Sequence, residues 1–281
     1  MSRVHSPCNW GTFSPMKPWN LNDYDAFFLD VDGVLVHDSQ PIEGAIAAFQ
    51  ALRAAGQVVI LTNNSTRSRQ QHAERLTSLG FPVQASEVVS SSFVVAEYLR
   101  KTVGPTLVWP IGESGLTEEL LASGHQVASN PEQAQWVVAG MDRAFDYEKI
   151  ANGLRALDSG ARLAATNRDG TYPTPDGPMP GAGAIVGALC GLEFEAAVNV
   201  GKPDPLPYAI AMDRTQAEAA RILMIGDRLG TDILGGFRSG LDTLLVLTGI
   251  STREEIEELG IQPTWITQSL SSLITGQVTR T

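Results

Sequence analysis

Two aspartates one residue apart, Asp30 and Asp32, close the apolar run Ala26-Phe27-Phe28-Leu29 and lead directly into Gly33. Three more short apolar runs end in the same manner. Val58-Val59-Ile60-Leu61 gives way to Thr62 and Asn63, Ala197-Val198-Asn199-Val200 to Gly201 and Lys202, and Ile222-Leu223-Met224-Ile225 to Gly226 and Asp227, with Asp232 shortly after. Clustered carboxylates repel one another unless a cation or a proton compensates them, and an all-oxygen donor set selects a hard ion such as Mg²⁺. Such an ion completes its shell with water and phosphate oxygens, for which a lysine is a natural counter-charge. A helix beginning after Ser65 would aim backbone N–H groups at the same place. Together these residues point to phosphoryl chemistry. Singly, each has a plainer explanation, since Asp and Asn are ordinary turn residues and Asp232 stands where a helix dipole favours an acid.

Two familiar nucleotide loops are excluded. Gly201-Lys202 continues into Pro203, not into the hydroxyl residue of a Walker A loop, and Gly181 to Gly187 reads GxGxxxG after Met179-Pro180, not the dinucleotide fingerprint after a strand. The second pattern reads as a tightly packed helix start, and an NAD-linked dehydrogenase is disfavoured with it.

The elements that must carry these residues alternate from Asp25 onward. Short apolar runs alternate with amphipathic stretches of helical length, the signature of β-α units and a mainly parallel sheet. The first helix shows Ile42, Ala45, Ile46, Phe49 and Leu52 at helical spacing and stops at Gly56. A second series starts near Thr106, with strands at Leu107-Val108-Trp109, Trp136 to Ala139 and Arg162 to Ala165. The turn-rich stretch from Asn167 to Gly183 reads as a functional loop or a hinge. In open parallel sheets ligands gather outside the carboxyl ends of the strands, where all the polar residues named above fall.

Composition narrows the setting. The chain has 281 residues, 43% of them hydrophobic, and a formal net charge of -11. That argues against disorder and against a nucleic-acid partner, which needs a basic footprint. Cys8 and Cys190 form no CxxC pair and no disulfide framework, which suits a reducing cytoplasm. The first twenty residues lack the apolar segment of a signal peptide, and no run is long enough for a membrane helix. The tail is expected to be a flexible extension, with Trp10 and Trp19 able to dock.

Asp30-Val31-Asp32-Gly33-Val34, Thr62-Asn63-Asn64-Ser65, Gly201-Lys202-Pro203-Asp204-Pro205 and Gly226-Asp227-Arg228-Leu229-Gly230-Thr231-Asp232-Ile233 resemble, in order and spacing, the motifs of the haloacid dehalogenase (HAD) superfamily. The closest likeness is to subfamily IIA, the capped phosphatases that include p-nitrophenyl, phosphoglycolate and pyridoxal-phosphate phosphatases, and it extends from about Asp25 to Ser251. The resemblance implies an α/β fold, a doubly wound Rossmann-like parallel sheet with an inserted α/β cap. The expected division is an extension over 1–20, a core over 21–102 and 192–281, and a cap over 103–191.

The same resemblance implies the chemistry. Asp30 would be the nucleophile that forms an aspartyl-phosphate, and Asp32 the acid and base for the leaving alcohol and the attacking water. Asp30, the backbone carbonyl of Asp32, and Asp227 would hold Mg²⁺, with Asp232 orienting a metal-bound water. Thr62 and Asn63 would bond the phosphoryl oxygens, and Lys202 would neutralise charge shared between phosphate and Asp30. In the cap, Met141, Arg143, Arg168 and Tyr172 are the expected specificity residues. Tyr172 is suited to a ring or a sugar hydroxyl, either arginine to a carboxylate, and Met141 to an adaptable apolar wall. The histidines His5, His37, His72 and His125 read as surface residues, with His37 placed to approach substrate. The implied function is Mg²⁺-dependent hydrolysis of a small phosphomonoester such as a sugar phosphate, phosphoglycolate or p-nitrophenyl phosphate. The alternatives are a phosphotransferase or mutase, or a non-catalytic module that binds a phosphorylated metabolite. A homodimer through the cap is the expected assembly.

Overall fold

The computed structural model describes residues 18–281 apart from Asp38 and Pro175. Expectations that rest on His5, Cys8 and Trp10 lie outside the described residues. The chain opens with β1 (Ala26–Leu29), a hairpin of β2 (Val36–His37) and β3 (Gln40–Pro41), α1 (Ala45–Ala55), β4 (Gln57–Thr62), α2 (Arg69–Ser78), β5 (Val88–Ser90) and α3 (Ser91–Val103). A second series follows, with β6 (Leu107–Ile111), α4 (Ser114–Ala122), β7 (Gln126–Val127), β8 (Trp136–Ala139), α5 (Tyr147–Asp158) and β9 (Arg162–Ala165). It ends with the hairpin β10 (Thr171–Tyr172) and β11 (Met179–Pro180), then α6 (Ala182–Cys190) and β12 (Ala196–Asn199). The return comprises α7 (Pro205–Thr215), β13 (Ile222–Gly226), α8 (Leu234–Arg238), β14 (Asp242–Val246), α9 (Glu254–Leu259), β15 (Trp265–Thr267), α10 (Leu270–Ile274) and β16 (Val278–Arg280).

The larger sheet runs β16-β15-β14-β13-β1-β4-β5. It is parallel except for β16, which pairs antiparallel with β15. From β1 the strand order grows one way through β4 and β5 and the other way through β13, so the switch point lies between β1 and β13, where ligands bind in such sheets. All four β1 residues are fully buried because both faces are covered. Phe27 and Leu29 pack with Phe49, Leu52 and Phe81 on one face. Ala26 and Phe28 pack with Val94, Leu99 and Tyr208 on the other. Each large side chain taken out of water here contributes roughly 1.5–3 kcal/mol.

The helices that point at the sheet's carboxyl edge start firmly. Ser68 and Gln71 form a reciprocal capping box on α2, and Asp204 caps α7, with Pro205 in its first turn. The smaller sheet, β12-β9-β8-β6-β7, is parallel throughout. Its outer face has a core of its own, including Val137, Leu163, Ile185 and Leu189. Its inner residues Val108, Trp136 and Val138 share a cluster with α3 of the larger unit, so the insertion is seated on the core by apolar contact.

Three expectations change. The run at Ala197 to Val200 reads as a strand of the core, but β12 pairs with β9 in the smaller sheet, across the boundary expected at 191/192. Asn167 to Gly183 is not a hinge between the sheets; it is a loop inside the insertion that carries the β10–β11 hairpin. Finally, His72 and His125 are buried at 2% exposure, not at the surface, whereas His37 is exposed. His125 Nδ1 accepts from the Thr106 N–H at 3.3 Å and its Nε2 donates to the Ala96 carbonyl at 2.9 Å, and His72 Nε2 meets the carbonyl of Asn64. Both are inside because the backbone around them supplies partners.

Candidate active site

Asp30 leaves the end of β1, and its backbone N–H continues the ladder to the Ile225 carbonyl at 3.0 Å. Asp227 leaves the neighbouring β13, and Lys202 enters from the segment between β12 and α7. Lys202 is buried, and its ammonium spends all three donors: 2.8 Å to Asp30 Oδ1, 2.6 Å to Asp232 Oδ1 and 2.9 Å to the Leu61 carbonyl. Burial alone pulls an ammonium toward neutrality, but Asp232 and Asp30 overturn that and hold Lys202 charged, with its pKa raised.

The carboxylates of Asp30, Asp227 and Asp232 each offer an oxygen within 4.8 Å of the others. Asp227 and Asp232 are both pushed up by burial, and the neighbouring carboxylates add to it. The backbone makes room for this crowding. A Cβ at Gly33, whose φ is +84°, would lie 2.5 Å from Asp227 Oδ2, and one at Gly249 would lie 2.0 Å from it. Asp227 Oδ2 accepts from the Ile250 N–H at 2.8 Å. Asp232 has both oxygens engaged, Oδ1 by Lys202 and Oδ2 by the Arg228 N–H at 3.1 Å. Among the described residues, no hydrogen bond reaches Asp30 Oδ2 or Asp227 Oδ1. Asp32 opens onto the cleft, where crowding by the protein and the Asp30 carboxylate push its pKa up to about 6, against the pull of Arg75, Arg67 and Lys202.

The loop after β4 is the meeting point of core and insertion. Thr62 Oγ1 accepts from the Asn64 N–H at 3.1 Å. Asn63 Oδ1 accepts from the Lys202 N–H at 2.8 Å, and its Nδ2 donates to the Lys202 carbonyl at 3.1 Å and to Asp169 Oδ2 at 3.0 Å. Asn167 Nδ2 donates back to the Asn63 carbonyl at 2.8 Å, and Ser65 Oγ accepts from the Met141 N–H at 3.0 Å. The carboxyl ends of β8 and β9 therefore face the carboxyl ends of β1 and β4 across one cleft of about 490 Å³.

Asp30, Asp32, Thr62, Asn63, Lys202, Asp227, Met141, Arg143, Tyr172 and His37 all line that cleft. Asp232 lies fully buried behind it, bonded to Lys202. Arg168 is not among the residues that line it; it is exposed, and its backbone lies against Gly183. Arg143 is held by Glu113 through contacts of 2.7 and 2.6 Å. Sequence reasoning passed over Asp169, Asn167, Arg67 and Arg75, which also line the cleft. Asp169 and Asn167 stand in a loop that the sequence had marked, but their partners are more than a hundred positions away. A second cavity of about 540 Å³, between the β10–β11 hairpin and α9, holds none of the clustered carboxylates.

Comparison with known proteins identifies the family. Residues 27–126 match the family model of haloacid dehalogenase-like hydrolases, and residues 199–273 match a HAD-hydrolase-like model. An acid sugar phosphatase of Staphylococcus saprophyticus is 32% identical over 255 residues, covering 90% of this chain and 98% of the relative. Phosphoglycolate phosphatase 2 of Arabidopsis thaliana is 35% identical over 281 residues, covering 90% and 93%. Among solved structures, a p-nitrophenyl phosphatase from Archaeoglobus fulgidus superposes with a TM-score of 0.84 at 33% identity, covering 90% of this chain and 99% of that one. The chain belongs to the haloacid dehalogenase-like hydrolases, and it is a phosphatase of that family.

Proposed function

We propose that the protein hydrolyses a small soluble phosphomonoester, of the sugar phosphate, phosphoglycolate or p-nitrophenyl phosphate type, with Asp30 as nucleophile and Mg²⁺ as cofactor. The observation that carries this reading is the Asp30–Lys202–Asp232 chain at the switch point of the sheet, with Asp227 beside it and the insertion's loops overhead. The named relatives act on esters of this kind.

A divalent cation fits the residues present. The donors are all oxygen, Lys202 compensates only Asp30 and Asp232, and Asp227 is left with a carboxylate that burial and its neighbours disfavour unless a cation or proton balances it. Asp30 Oδ2, Asp227 Oδ1 and the Asp32 carbonyl would hold the ion. Asp232, engaged at both oxygens, positions Lys202 and the surrounding shell. When bound, Mg²⁺ supplies positive charge to the phosphoryl oxygens.

The protein's own residues do the rest. Asp30 attacks phosphorus while the bond to the alcohol oxygen breaks, and Asp32, with its raised pKa, gives that oxygen a proton. Asp32 then takes a proton from the water that attacks the aspartyl-phosphate, releasing phosphate and restoring Asp30. Thr62 and Asn63 orient the transferred group, and Lys202 stabilises the charge shared between it and Asp30. The insertion acts as a cap that includes β12, and Met141 and Tyr172 form its contact with the alcohol portion. A cytoplasmic location accords with the low cysteine content, and the cap is the surface we assign to a homodimer.

Asp30→Asn keeps shape and removes the nucleophile. Phosphate release should fall by about 10³-fold or more with the far-UV circular dichroism unchanged. Turnover close to that of the parent protein would remove the basis of the assignment.

A further inference from the structure

We propose that Arg67 binds a second anionic group carried by the alcohol portion of the substrate, so that the preferred ester bears a carboxylate or further phosphate beyond the phosphate that is removed. This rests on the phosphatase reading of the same cleft and deepens it.

Arg67 is half-buried on the loop between β4 and α2, and it lines the cleft with Asp30, Asp32, Arg75, Arg143 and Met141. Its backbone is fixed from two sides: a Cβ on Gly115 of the cap would meet it at 2.2 Å, and Ser92 Oγ donates to its carbonyl at 3.4 Å. Among the described residues, however, no acceptor hydrogen-bonds its guanidinium. Other arginines are matched to acceptors, Arg53 to Glu87, Arg69 to Glu119, Arg143 to Glu113 and Arg221 to Asp25.

The surroundings of Arg67 work against its charge. It is taken partly out of water, Arg75 and Arg143 stand near enough to repel it, and Asp32 and Glu113 offset this only in part, so its pKa is lowered overall. It also stands just before Ser68, the cap of α2, where a helix dipole disfavours a cation. A guanidinium that lines a cleft, with no acceptor bonded to it among the described residues, is complementary to an anion.

The position identifies which anion. The phosphate that is removed belongs beside Asp30, Lys202, Thr62 and Asn63. Arg67 lies beyond Thr66, where the loop faces the cap residues Gly115 and Arg143. That side of the cleft receives the alcohol portion. In a chain of net charge -11, a cationic group here counters the repulsion that a doubly anionic ester would otherwise meet.

The test compares 2-phosphoglycolate, ethane-1,2-diol bisphosphate and the neutral analogue 2-hydroxyethyl phosphate. The parent protein, Arg67→Gln and Arg67→Lys are assayed for kcat/KM, and Asp30→Asn with and without Arg67→Gln is titrated by calorimetry to give Kd without turnover. The parent should prefer a charged ester over the neutral one in both measurements, and the arm that is preferred separates carboxylate from phosphate. Arg67→Gln should collapse that preference by about 10- to 150-fold, the worth of a hydrogen bond to a charged group, with Arg67→Lys between the two. An unchanged ratio overturns the proposal, as does a parent with no preference. If Arg67 serves only to tune Asp32, the pH profiles of all three esters move together and the ratios stay put, which also overturns it. An Arg67-dependent preference in Kd with no turnover of any ester by the parent would instead sink the phosphatase reading while supporting the contact between Arg67 and the second anion.

Discussion

The two walls of the cleft are built by different means. On the core wall the lysine and the asparagine are tied to their neighbours: Lys202 spends its three donors on Asp30, Asp232 and Leu61, and Asn63 is bonded at both its oxygen and its nitrogen. On the cap wall, no hydrogen bond reaches the Tyr172 hydroxyl among the described residues, Met141 is bonded only through its backbone, and Arg143 is clamped to Glu113 with most of its side chain in solvent. The difference follows from the task. The phosphoryl group is the same in every ester and rewards a rigid, preorganised site. The alcohol portion varies, and an unbranched Met with an untethered ring adapts to it at little cost.

The contrast has consequences that mutation can break. Lys202→Met strikes the core wall and should do the most damage. It leaves the buried Asp232 and the partly buried Asp30 without their cation, at a cost of about 3–5 kcal/mol to stability, and should lower kcat/KM by about 10³-fold. Urea unfolding and steady-state assays would check both. The loss should be uniform across esters, and a loss confined to some of them would contradict the division of labour between the walls.

His72 lies beneath the core wall, where it supports the Asn64 carbonyl at 3.1 Å. Its Nδ1 is buried without a partner, which fits a neutral ring that donates from Nε2. Burial, with Arg67 and Arg75 adding to it, lowers its pKa to about 4, so the unfolded chain binds a proton that the folded one refuses. This contribution is fully present above about pH 6.5 and is lost as the pH falls toward 4, to the extent of about 2–3 kcal/mol. The raised carboxylates of Asp32, Asp227 and Asp232 act in the opposite direction over the same range, so the difference in unfolding free energy between the parent and His72→Gln, measured from pH 7 to 4, should carry that slope.

Arg143→Ala is the mildest change. The Arg143–Glu113 pair is exposed on its arginine side, and stability should move by no more than about 1 kcal/mol. The Tm should barely shift, while the ranking of esters by kcat/KM changes. A uniform loss of rate would place Arg143 with the core wall.

The core wall was legible because it is written in residue types at strand ends. Asp30, Thr62, Lys202 and Asp227 each interrupt an apolar run at the edge where a parallel sheet binds ligands, and no packing need explains four polar interruptions there. What the sequence concealed depends on partners far along the chain. Arg67 carries no local pattern that marks it, and its place in the cleft depends on the packing of Gly115 against its backbone. The run Ala196–Asn199 suits either sheet, and only its pairing with β9 decides which. His72 and His125 look like surface residues because burial of an imidazole depends on backbone carbonyls that no local pattern reveals. The closing strands β15 and β16 lie past the last motif, and Trp265 seals them against Trp19 and Tyr24 at the other end of the described chain.

The pairing of β1 with β13 sets the order in which the molecule matures. Phe27 lies in register with Leu223, so the strand that ends in Asp30 acquires its neighbour only after the whole cap and the Lys202 segment have been made. Contacts of such sequence separation form late, because loop closure must be met before they can stabilise anything. β1, β4 and β5 pair with one another within the first ninety residues, whereas Lys202, Asp227 and Asp232 all lie beyond the insertion. The cluster in this architecture is therefore assembled from both sides of the insertion: Asp30 comes before it, and Lys202, Asp227 and Asp232 come after it.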